Sequence, residues 1–129
     1  MATQPAVATM LWRGLVQRCP VCGSGRLFRR WFSMVERCPR CGLRFGRIEG
    51  HHIGALGLNT IVSFVVLFVV VVGGLVWSHP EFSPTPLAVA AVATAILVPL
   101  AFFPSSRTLW TAVDLWMRPL EPGEAHQEA

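Results

Sequence analysis

Two apolar stretches dominate the second half of the chain. From Ile53 to Trp77 no charged residue interrupts IGALGLNTIVSFVVLFVVVVGGLVW. As a helix these residues reach about 37 Å at 1.5 Å per residue, enough to cross a bilayer with some tilt. The run is rich in Val and Ile, but it is far longer than the roughly ten residues that strands reach. A second apolar run, Leu87–Phe103, is shorter and holds Pro99, which predicts a kink near its end. The three prolines of 78–86 mark a short turn between the two.

Pro104 closes the second run, and Ser105 or Ser106 is placed to cap a further helix over about 106–118. There Arg107, Thr111, Asp114 and Arg118 form one polar stripe. Leu109, Val113, Trp116 and Leu120 share another face, flanked by Trp110 and Met117. Such a helix suits the membrane interface, and it equally suits packing against another part of the chain.

The first half lacks this regularity. Residues 1–11 read as a disordered tail, and Leu11–Val16, with Trp12 and Arg13, as an amphipathic lead-in. The predicted organisation is a tail and lead-in (1–16), a cysteine module (17–47), a transmembrane hairpin (48–104, spans about 53–77 and 87–103), an interfacial amphipathic helix (105–120) and a disordered acidic tail (121–129). The fold class is a mainly α membrane protein with a small N-terminal zinc ribbon, a short β-hairpin bearing two knuckles.

Composition supports membrane spans. Of 129 residues, 53% are hydrophobic and only 14% charged, too apolar for an ordinary soluble domain. The net charge is +4, and all eleven basic residues are Arg. Most of them precede residue 48, whereas the 78–86 turn has no Arg and carries Glu81. The positive-inside rule then predicts a multi-pass membrane protein with both termini cytoplasmic. Met1–Leu11 has no charged n-region, so no cleaved signal peptide is expected.

All four cysteines lie in two matching motifs, Cys19-Pro20-Val21-Cys22-Gly23 and Cys38-Pro39-Arg40-Cys41-Gly42. Each pair puts two sulfurs on one tight turn. The proline presets φ at the turn entry, and the glycine permits positive φ at its exit. Two C-x-x-C pairs separated by fifteen residues match a closed four-thiolate site, with Cys19, Cys22, Cys38 and Cys41 as ligands of one Zn²⁺. Disulfides would need an oxidising compartment, against the cytoplasmic placement. Rubredoxin-like iron remains the competitor; zinc is favoured because the insert between the pairs is short. A c-type haem is excluded, since Gly23 and Gly42 stand where a His is required. About thirty residues cannot build a sufficient core, so metal supplies the folding energy. Phe28 and Phe45 are placed to cover the knuckles, and Arg18, Arg37, Arg40 and Arg44 to offset the thiolate charge.

Other signals are weaker. His51 and His52 are a possible second metal or ligand pair, but neighbours on a helix point about 100° apart and seldom share one ion. The competing reading is an interfacial pair that caps the helix entry. Asn59, Thr60 and Ser63 can bond across to the second span or to their own backbone. Arg26, Arg29, Arg30 and Arg37, interleaved with Trp31 and Phe32, resemble a nucleic-acid surface, yet a topology signal beside anionic lipid accounts for the same residues. No carboxylate pair, Ser/His/Asp set or phosphate-cradling loop is present, so no enzymatic activity and no small-molecule substrate are expected.

The stretches Arg18–Phe28, Arg37–Phe45 and Arg118-Pro119, in this order around two spans, resemble a bacterial family of small membrane proteins called domain of unknown function 983. The resemblance implies a cytoplasmic zinc ribbon on a two-helix anchor. In some bacteria such genes lie beside cytochrome oxidase assembly genes, so the resemblance implies a respiratory assembly role. The expected function is an accessory or assembly protein docked on a larger membrane complex. The alternatives are a metal-handling or iron redox protein, and a membrane-tethered nucleic-acid-binding module.

Overall fold

The computed structural model describes residues 5–46, 50–81 and 83–120. In chain order the elements are helix α1 (Val7–Leu15), strands β1 (Phe28–Arg30) and β2 (Ser33–Met34), and helices α2 (His51–Trp77) and α3 (Pro84–Met117). The chain divides into two compact units, residues 1–56 with 103–129 and residues 57–102. The acidic tail 121–129 lies outside the described residues. The mainly helical fold class with a two-strand hairpin is the one the sequence predicts.

In the unit of residues 57–102, two helical segments carry little beyond apolar side chains. Ser63 Oγ donates to the Asn59 carbonyl within its own helix, 2.7 Å. Asn59 Nδ2 reaches across to the Pro99 carbonyl of α3 at 3.1 Å. Of the two expectations for these polar residues, Ser63 therefore takes the local one and Asn59 the cross-helix one. Both α2 and α3 are long and apolar enough to cross a membrane, and neither buries its most apolar window within the protein. Phe64, Phe68, Val76 and Trp77 stand exposed. Exposed apolar side chains on membrane-length helices mark a candidate membrane-facing or partner-facing surface.

The other unit gathers the rest. α1 starts at Val7, four residues earlier than the lead-in read from sequence. It ends in a Schellman turn: Gln17 N–H bonds the Gly14 carbonyl and Arg18 N–H bonds the Arg13 carbonyl. The left-handed residue of that turn is Gln17, φ 62°, in place of the usual glycine. The turn aims the chain directly into Cys19.

One expectation is corrected. No break occurs at Pro104; α3 runs unbroken from Pro84 to Met117, through Pro99 and Pro104. A proline removes one backbone donor and kinks a helix, but its own φ is helical, so packing can carry the helix past it. Pro104, Ser105, Ser106 and Thr108 are buried here, which supplies that packing.

The end of α3 is oriented opposite to a water-soluble helix. Thr108, Thr111, Ala112, Asp114 and Leu115 are buried, while Trp116 and Met117 are exposed. Thr111 and Asp114 of the polar stripe thus face the interior, while Arg107 is half-buried and Arg118 exposed. Gly14 makes this approach possible: a Cβ there would lie 2.8 Å from Leu109 Cα and 2.9 Å from the Thr108 carbonyl. Thr108 Oγ1 donates to the Gly14 carbonyl at 2.5 Å.

Candidate metal centre

The two cysteine motifs fold into near-identical knuckles. In the first, Gly23 N–H bonds the Cys19 carbonyl (2.9 Å) and Cys19 N–H bonds the Ser24 carbonyl (2.9 Å). In the second, Gly42 N–H bonds the Cys38 carbonyl (3.0 Å) and Cys38 N–H bonds the Leu43 carbonyl (2.9 Å). Gly23 and Gly42 close the turns at φ 76° and 73°, the left-handed region where a side chain is disfavoured. The backbone between the pairs forms the hairpin, β1 antiparallel to β2, with Phe28 opposite Met34.

These turns bring the four sulfurs together. Cys19 Sγ lies 3.6 Å from Cys41 Sγ, and Cys22 Sγ lies 3.5 Å from Cys38 Sγ. All four fall within 4.8 Å of one another. A tetrahedron with metal–sulfur arms of about 2.3 Å has edges of about 3.8 Å, so the donor set fits one four-coordinate ion. The separations are far beyond a disulfide's roughly 2.05 Å, and all four residues are free cysteines.

Electrostatics fit the same reading. The Cys19 thiol is pushed up by its hydrogen bonds with Cys38 and then Cys41, and by burial. Cys38 is pushed down, chiefly by its bonds with Cys19 and then Cys41. Cys41 is pulled down by its bond with Cys19, but the bond with Cys38 and burial outweigh that and push it up to about 12. Sulfurs this close cannot all ionise on their own, and a divalent cation would take the place of the shared protons. Backbone N–H groups contribute: Cys22 stabilises the thiolate of Cys19, Cys41 and Arg40 that of Cys38, and Leu43 that of Cys41.

The cover differs in part from the sequence expectation. Phe45 is buried over the site, but Phe28 is only half-buried. The fully buried neighbours are Leu27 and Leu43, joined by Met10 of α1 and Leu115 of α3. A more informative omission is Arg13. Its Nη1 donates to the Val21 carbonyl at 2.9 Å and to the Pro20 carbonyl at 3.4 Å. The same guanidinium lies against Gly23, where a Cβ would sit 3.4 Å from Nε. One arginine of α1 therefore clamps the first knuckle from outside.

His51 and His52 are not drawn into the cysteine cluster. Thr111 Oγ1 donates to the Arg107 carbonyl (2.9 Å), so the 3.4 Å contact between Thr111 Oγ1 and His51 Nε2 runs from the ring to the hydroxyl. His52 Nδ1 lies 2.8 Å from Arg107 Nη2. The two rings are 6.3 Å apart and nearly perpendicular. Among the described residues, the four cysteines form the one group of three or more potential metal ligands.

A four-cysteine ribbon joined to two membrane-length helices defines a class of small membrane-anchored, potentially metal-binding proteins. A family model described as protein of unknown function (DUF983) matches residues 28–115, and the chain belongs to that family. The match takes in the second cysteine pair, all of α2 and most of α3. No curated protein and no solved structure matches the chain.

Proposed function

We propose that the chain is a zinc-ribbon accessory or assembly protein of the bacterial inner membrane, docked on a larger membrane complex of respiratory type. The observation that carries this is the closure of the site. The four sulfurs lie within 4.8 Å of one another and Cys19, Cys38 and Cys41 are buried, so as thiolates they would fill a tetrahedral shell and leave no coordination position for a substrate. Zinc suits such a structural site. Cys19, Cys22, Cys38 and Cys41 would hold it, and its bonds would supply folding energy to the unit. The arginine-rich first half supports cytoplasmic termini.

Purification from the native host after crosslinking tests the reading. The expected result is one zinc per chain and a co-purifying membrane complex. A strictly solitary protein sinks the docking proposal. A red, reducible iron form would instead assign the site to electron transfer.

A further inference from the structure

Arg107 is the cation whose surroundings the metal site leaves unexplained. It lies in α3, beyond the second apolar run, and is half-buried. Nη1 donates to the Phe32 carbonyl at 3.4 Å, Nη2 meets His52 Nδ1 at 2.8 Å, and the guanidinium lies 5.9 Å from the centre of the Phe103 ring. These partners are neutral. Among the described residues no carboxylate pairs with it. With no carboxylate partner among the described residues, this guanidinium is open to an anion from elsewhere.

Three further observations describe that anion. First, arginine only donates, so His52 Nδ1 is the acceptor and its proton sits on Nε2, a second donor beside Arg107. Second, a groove of about 190 Å³ starts at His52 and Arg107 and is otherwise lined by Ala55, Leu56, Phe103 and Ser106. It is polar at one end and apolar along its walls. Third, His52 and Arg107 also line an adjoining hollow with Arg44 and Glu36, so its lining carries two guanidinium groups against one carboxylate.

We propose that this groove binds one anionic glycerophospholipid. The headgroup phosphate accepts from Arg107 and His52 Nε2, and an acyl chain lies along Ala55, Leu56 and Phe103. The occupant follows from charge complementarity at the mouth and from position, since His52 leads within a few residues into a membrane-length apolar run. A guanidinium matches a phosphate with paired donors, whereas a zwitterionic headgroup brings its own cation.

Native mass spectrometry of the full chain, metal-loaded in detergent, tests this. Phosphatidylglycerol, phosphatidylcholine with the same acyl chains, and inorganic phosphate are the probes. One phosphatidylglycerol per chain is expected, retained about tenfold better than phosphatidylcholine, as the loss of a charge-assisted bond implies. R107Q should erase that preference, and F103A should weaken both lipids. H52A, at an exposed ring, provides a second reading if R107Q loses metal, and should lower the preference several-fold. Equal retention of the two lipids, or an unchanged preference in metal-loaded R107Q or H52A, overturns the proposal. Displacement of the lipid by millimolar phosphate also overturns it and assigns the mouth to a free anion.

Discussion

Replacing Gly14 with alanine sets two opposite effects against each other, and the structure decides the sign. Alanine is the better helix former by about 1 kcal/mol in a helix interior, and by less near the end of α1. Against this, the new Cβ would lie 2.8 Å from Leu109 Cα and 2.9 Å from the Thr108 carbonyl. Both are backbone atoms, so no side chain can swing aside. Relief to an ordinary contact needs α1 and α3 to separate by about 0.5 Å, an overpacking cost of about 1–3 kcal/mol. The same movement stretches the buried bond from Thr108 Oγ1 to the Gly14 carbonyl, worth about 1 kcal/mol more. A net loss of about 1–3 kcal/mol in the unit that holds the cysteines follows. Limited trypsin digestion of the reconstituted protein reads this, because the unit is rich in arginine and cleavage tracks the opened population. Cleavage should run about tenfold faster, since about 1.4 kcal/mol is tenfold in an equilibrium. Gly57, also helical, has nothing within 4 Å of its would-be Cβ, so G57A serves as the control without a clash. If G14A were cleaved no faster than wild type, the close crossing of α1 and α3 would be wrong.

Two further substitutions probe the metal centre. C22S is expected to abolish stoichiometric metal and leave the unit protease-sensitive while the spans remain inserted; full metal content with intact protease resistance would refute the four-thiolate assignment. R13M removes the bonds from Arg13 to the Val21 and Pro20 carbonyls, worth about 1.5 kcal/mol or more for a charged donor. Metal loss to a chelator should quicken about tenfold, and an unchanged rate would show that the clamp has no effect on retention.

What the sequence disclosed and what it hid separate along physical lines. The knuckles were legible because each is closed by bonds within about five residues, and proline and glycine sit where the turn needs them. The spans were legible because hydropathy over twenty residues needs no partner. Whether Pro104 ends a helix is different, because the answer depends on what packs around it. The direction of the α3 stripe was hidden for the same reason: the pattern of Thr111 and Asp114 suits the membrane interface and internal packing equally, until Gly14 shows how closely α1 approaches. Arg13 was missed because its partners are backbone carbonyls, which leave no complementary residue to find. The cover was displaced by one position, Leu27 for Phe28. Leu43 and Phe45 carried the missing signal: they alternate after the second glycine and both point into the core.

Thr111 and Asp114, buried at the end of α3, would give a metal at the cysteines a structural role beyond the knuckles. Ala112 and Leu115 of α3 and Met10 of α1 belong to the same core as Cys19, Cys38 and Cys41. That core is small, and on general grounds a structural zinc site contributes on the order of 10 kcal/mol or more to such a fold. Thr108, Thr111 and Asp114 are buried beside it, and burial is tolerable only while their partners stay in place. Without the ion, the knuckles would lose their main source of order and the face receiving these groups would loosen with them. Residues 57–102 form their own unit. The cysteine cluster therefore shares one core with α1, the hairpin and the end of α3, so loss of a bound metal would loosen all three together.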